Sequence, residues 1–113
     1  MSRLRSDLWC SAYVRRQNNL GHICVVVRRG DPVAGQVWIE FDHLDGTGTL
    51  LSPAPGIAAN PDSADWQFQV LMDVAPLADV AARLARESDF DPDFWHLTVE
   101  ARSVDPDLTI VRP

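Results

Sequence analysis

The chain has 113 residues, 46% hydrophobic and 23% charged, which is a composition for one folded domain and excludes a disordered chain. Its longest apolar run, around Val25 to Val27, is far short of the roughly 18 residues a membrane span requires, and no apolar stretch of signal-peptide length follows the first basic residues. The net charge of −6 argues against duplex DNA or RNA as a partner, because an acidic surface repels phosphates.

In chain order, Ser6 and Asp7 offer an N-cap, and Trp9, Ala12, Tyr13 and Leu20 then recur at helical spacing with Gly21 to close the end. The spacing predicts a helix over about 7–19. Arg15 and Arg16 would sit at the negative end of its dipole. From His22 the pattern becomes that of strands. "HICVVVRR" is continuous and β-branched, "GQVWIEFDHL" is mostly apolar, and "TGTLLSP" follows the Asp45-Gly46 turn, a strong hairpin signal. Residues 22–52 therefore read as a three-stranded meander.

The segment 53–64 carries three prolines and is expected to be a long exposed loop. Trp66, Phe68, Val70 and Met72 then alternate with polar positions as in a half-buried strand. Pro76, Leu77, Val80, Ala81 and Leu84 predict an amphipathic helix over 76–88. A last strand follows, with Trp95, Leu97, Val99 and Ala101 on one side and His96, Thr98, Glu100 and Arg102 on the other. Residues 103–113 give little reason for order and read as a flexible tail. The expectation is a single α+β domain over 1–113: a mainly antiparallel sheet of about five strands with two helices packed on one face. Cys10 and Cys24 lack C-x-x-C spacing and sit among apolar residues, so buried reduced thiols are expected rather than a disulfide or metal site. A cytoplasmic protein follows from that.

Charge is unevenly placed. All ten basic residues are arginines. Residues 1–30 hold six of them against one acid, a local +5; the remainder carries −11. Either the basic third docks on the acidic remainder, or it presents arginine forks to a carboxylate or phosphate. Arg15, Arg16, Arg28, Arg29 and Asp31 are the candidate contacts, together with Trp38.

The turn "RRGDPVAG" sets the register that decides between these readings. If Arg29 pairs with Gln36, His22 faces His43, Cys24 faces Phe41 and Arg28 faces Val37. Trp38 then lies on a second face with Glu40 and Asp42, which reads as partly covered or as a surface for a partner or a second copy of the chain. Facing histidines lie close enough to share a metal, with Asp45 as a third ligand. This is the one enzymatic idea in the sequence: a metal-dependent hydrolase using His22 and His43. Nucleophilic catalysis has no support. There is no G-x-S-x-G elbow, and Cys24 lies inside an apolar strand.

"LRSDLWCSAYVRR", "VVVRRGDPVAG", "HLDGT" and "ESDFDPDFW" together resemble a bacterial family known as domain of unknown function 1491, over nearly the whole chain. The resemblance places Arg28, Arg29, Gly30, Asp31 and Gly35, and Phe90, Asp91, Pro92 and Trp95, in a common pattern. It implies no activity, cofactor or catalytic residue, and the proline-rich segment 53–64 departs from it. The expected function is a non-enzymatic binding or regulatory module, without cofactor, that recognises an acidic protein segment or small anion. Homodimerisation is the alternative, and the metal-dependent hydrolase a third.

Overall fold

A computed structural model describes residues 4–56 and 65–112. The element order is α1 (Ser6–Asn19), β1 (Ile23–Arg28), β2 (Gln36–Asp42), β3 (Thr47–Pro53), β4 (Gln67–Pro76), α2 (Leu77–Phe90), β5 (Phe94–Glu100) and β6 (Thr109–Ile110). The strands form one six-stranded sheet in the order β1-β5-β2-β3-β4-β6. It is mixed rather than mainly antiparallel, because β2 runs parallel to β5 and β4 parallel to β6. Within the expected proline-rich loop, residues 57–64 lie outside the described residues.

The meander is corrected at its first turn. β1 and β2 are not neighbours: β5 lies between them, with Cys24 opposite Val99 and Arg28 opposite His96. Asp31-Pro32 does bend the chain, but the turn is a slot instead of a hairpin. A Cβ built on Gly30 would lie 2.8 Å from the Phe94 carbonyl carbon, and one on Gly35 2.9 Å from Trp95 Cδ1. Both positions must therefore be glycine for β5 to enter. The second turn is as expected. β2 and β3 form an antiparallel hairpin through Asp45-Gly46, with Gly46 at φ +89°.

The same slot organises α1. Backbone N–H groups of Ser6 and Asp7 donate to the carbonyls of Val33 and Pro32, and the Ser6 hydroxyl donates to Gly35 O at 2.6 Å. Carbonyls from the loop thus do the work of an N-cap, which leaves Ser6 as a buried anchor rather than the cap.

The helices lie on opposite faces, not on one. Val37, Ile39 and Phe41 of β2 pack with Cys10 and Tyr13 of α1, whereas Trp38 packs with Val80 and Leu84 of α2. Successive strand residues point to opposite sides, so two cores sandwich the sheet. A bulge serves both of them. Leu50 faces Met72 but Leu51 faces Val70, so the extra residue Leu71 sends Val70 to the α1 core and Met72 to the α2 core. The expected tail carries β6, beside β4, while Val104, Leu108 and Ile110 pack against the α1 core.

Candidate binding cleft

α1 ends at Leu20, and Gly21, at φ +91°, turns the chain toward β1. Across from this end runs the segment after β5, residues 101–107. Between them opens a cleft of about 590 Å3. Its floor includes Phe41 and Ala101, both buried, and its lips are Leu20 and Leu44, 61% and 54% exposed. Leu44 holds a positive φ of 66°, an uncommon backbone for a leucine.

The polar part of the cleft is built on Asp105. One carboxylate oxygen, Oδ2, accepts from the Tyr13 hydroxyl at 2.9 Å, Arg16 at 2.8 Å and Gln17 Nε2 at 3.0 Å. The other, Oδ1, accepts from the Asp107 amide. Burial, reinforced by the Asp105 charge, pushes the Tyr13 phenol well above its ordinary range, so Tyr13 stays a donor. Gln17, itself buried, reaches on to His22: its Oε1 lies 2.8 Å from Nδ1 of the ring. The other ring nitrogen, Nε2, has no hydrogen-bond partner among the described residues. Neither Arg102 nor Glu100, which also line the cleft, has a hydrogen bond or ion pair there.

Three of the five arginines described in the first thirty residues have hydrogen-bond partners within the molecule. Arg16 pairs with Asp105 and Asp107, Arg5 with Asp7. Arg28 donates to Pro92 O at 3.0 Å and Ser88 Oγ at 2.8 Å and lies over the Phe94 ring. Arg29 lies over Trp95, 4.8 Å from its centroid, and is exposed; Arg15 is exposed as well. Asp31 is consumed in the slot. Its carboxylate accepts from the Val33 and Ala34 amides, its carbonyl from Trp95 Nε1 at 2.9 Å, and its own amide donates to Asp93. The R-R-G-D and D-P-D-x-W stretches therefore hold each other, which gives their pairing a structural reason. Trp38 is no interaction face: it is 4% exposed beneath α2, with Arg83 over its ring.

The histidine pair does not form. His43 is buried, with Nδ1 at 2.8 Å from Ala101 O and Nε2 at 2.8 Å from Thr49 Oγ1, while His22 belongs to the cleft. Asp45 takes its bonds from Thr47, which hold its carboxyl below the usual carboxylate range. No group of three His, Cys, Asp or Glu able to hold a metal occurs among the described residues. His96, on the opposite face, bonds Glu40 at 3.0 Å.

Sequence reasoning missed Gln17, Asp105, Glu100 and Arg102 as members of one site. Gln17 and Asp105 stand 88 positions apart, and neither carries a motif. The one available signal was the charge split, which allowed acids as partners for the helix arginines without saying which.

The geometry defines an α+β domain of three layers, helix, sheet and helix, with a cleft at one end of α1. The chain belongs to the family described as protein of unknown function (DUF1491), whose sequence profile matches residues 4–109. It is similar to the solution structure of protein Atu0922 from A. tumefaciens, at 30% identity and a TM-score of 0.82, over 98% of each chain. It is also similar to the crystal structure of a DUF1491 family protein from Caulobacter crescentus CB15, at 26% identity and a TM-score of 0.76, over 96% of this chain and 98% of that one. No curated protein matches.

Proposed function

We propose that the protein is a non-enzymatic binding module that seats a carboxylate-bearing ligand, a small acid or an acidic peptide segment, in the cleft between α1 and residues 101–107. One observation carries this reading: an apolar floor and lips meet an arginine, Arg102, and a histidine, His22, that still have hydrogen-bonding capacity to offer. Apolar walls with a few convergent polar groups are what a small-ligand site needs. A guanidinium is the group best shaped for a carboxylate. The arginine surface expected from the charge split moves accordingly, from Arg16 and Arg28, which have partners, to Arg102.

The test is calorimetric titration with hexanoate, which combines a carboxylate with an apolar body. Binding should weaken as salt rises. Arg102→Ala should weaken it about tenfold, the loss of one charge-assisted hydrogen bond. Undiminished binding by the variant would refute the assignment.

Self-association is a second reading, favoured by the row Ile23, Val25 and Val27 on β1, which is 61%, 48% and 58% exposed. Pairing along the β1 edge is hindered by Asn18, whose carboxamide bonds both the amide and the carbonyl of Cys24. A dimer would therefore use the row's side chains. Sedimentation of Val25→Glu beside the unaltered chain decides it: a dimer that the variant dissolves supports this reading, and a monomer in both removes it.

A further inference from the structure

The hydrogen bonds around His22 settle more than its position. Asp105 is surrounded by donors: Tyr13, Arg16 and the Asp107 amide all give hydrogen bonds to its carboxylate. A carboxylate so placed only accepts, so Gln17 must turn its NH2 toward it. The Gln17 carbonyl oxygen then necessarily faces His22 Nδ1 at 2.8 Å. An oxygen can only accept there, so Nδ1 must carry a proton. In the neutral ring this leaves Nε2 bare.

From this we infer that His22 is a proton-gated anion receptor, held by Gln17 so that its second proton arrives only at Nε2, the nitrogen without a partner among the described residues. In the neutral state Nε2 presents a lone pair, which repels a carboxylate oxygen. In the protonated state it becomes a cationic donor in the same cleft as Arg102. The inference rests on the carboxylate-binding reading of the cleft; the state of the unliganded ring does not. The other charged groups lining the cleft are Glu100, Arg102, Asp105 and Asp107, with Arg16 behind the last two. No charged group of the turn after β2 lines it; Leu44 stands there. Asp105 and Asp107 are met by Arg16, while Glu100 and Arg102 both line the cleft without an ion pair. The gate turns on the His22 proton alone. Gln17 is a positioning residue, and Asp105 positions Gln17 in turn.

Long-range 1H–15N spectra of the unliganded protein read the tautomer directly. The neutral His22 ring should carry its proton on Nδ1, and a predominant Nε2–H form would overturn the inference. Hexanoate is then titrated at two pH values, both above the range where it protonates itself, chosen from those spectra so that the ring is neutral at one and protonated at the other. Binding should be about tenfold tighter to the protonated ring. His22→Ala should bind weakly and equally at both. Gln17→Leu frees the ring to place its neutral proton on Nε2, so binding at the higher pH should rise toward the lower-pH value. If that variant does not fold, the wild-type tautomer and His22→Ala still decide. Wild-type affinity that is equal at both pH values overturns the gate alone. No hexanoate binding in any form sinks the cleft reading, and the gate falls with it.

Discussion

Asp105 shows how much one buried carboxylate can hold. Three side chains of α1 and one backbone amide converge on it, and its side chain is only 6% exposed. Asp105→Ala leaves Tyr13 and Gln17 without an acceptor, and orphaned buried donors cost about 1–3 kcal/mol each before relaxation. The variant should unfold at lower urea concentration by an amount equivalent to about 2–4 kcal/mol, with the slope of the transition unchanged. The thiols give a second prediction at this scale. Burial pushes Cys10 up from the ordinary 9.0 to about 12 and Cys24 to about 11. Both should stay silent toward a disulfide reagent at pH 8 in the folded protein and react on unfolding. A raised thiol favours the folded chain while it keeps its proton. Its contribution is complete below the unfolded value of 9.0 and is lost as pH climbs through about 11 to 12. Urea midpoints should therefore fall over that alkaline window.

Among the elements, the slot between β1 and β2 does the most. It caps α1 with its carbonyls, admits β5 between its glycines and holds the Trp95 indole. Gly35→Ala would put a methyl 2.7 Å from Asp31 O, a backbone atom that cannot swing away. The variant should lose about 1–3 kcal/mol, and its α1 amides should exchange faster with solvent as the cap loosens. Elements carried by local periodicity were readable in advance: α1, α2, the β2–β3 hairpin, and β5 with its alternating faces. The position of β5 was not. Asp-Pro with flanking glycines serves a tight hairpin and a slot equally well, and only a pairing 70 or so residues away tells them apart. The facing histidines came from that hairpin and fell with it. Trp38 was misjudged for a related reason. A tryptophan beside Glu40 and Asp42 resembles a partner surface until Val80 and Leu84 of α2 are seen to land on it. Alternation gives the two faces of a strand, but not which of them a distant helix covers.

Across the whole molecule, part of the charge imbalance between the first thirty residues and the remainder serves the fold. Arg16 joins α1 to the acidic segment 105–107, and Arg28 joins β1 to the end of α2, to Pro92 before β5 and to the Phe94 ring. The arginine count allowed that docking as one of two outcomes, and left open which cation would still be available once it was complete. In this arrangement the functional proposal depends on Arg102 and His22, not on Arg15 and Arg29 elsewhere on the surface. Mapping backbone amide shifts during a hexanoate titration separates the two directly. The cleft account predicts concerted shifts at Leu20, His22, Leu44, Arg102 and Val104, with Arg15 and Arg29 unmoved. Shifts centred on Arg15 and Arg29, with Leu44 and Arg102 silent, would contradict it.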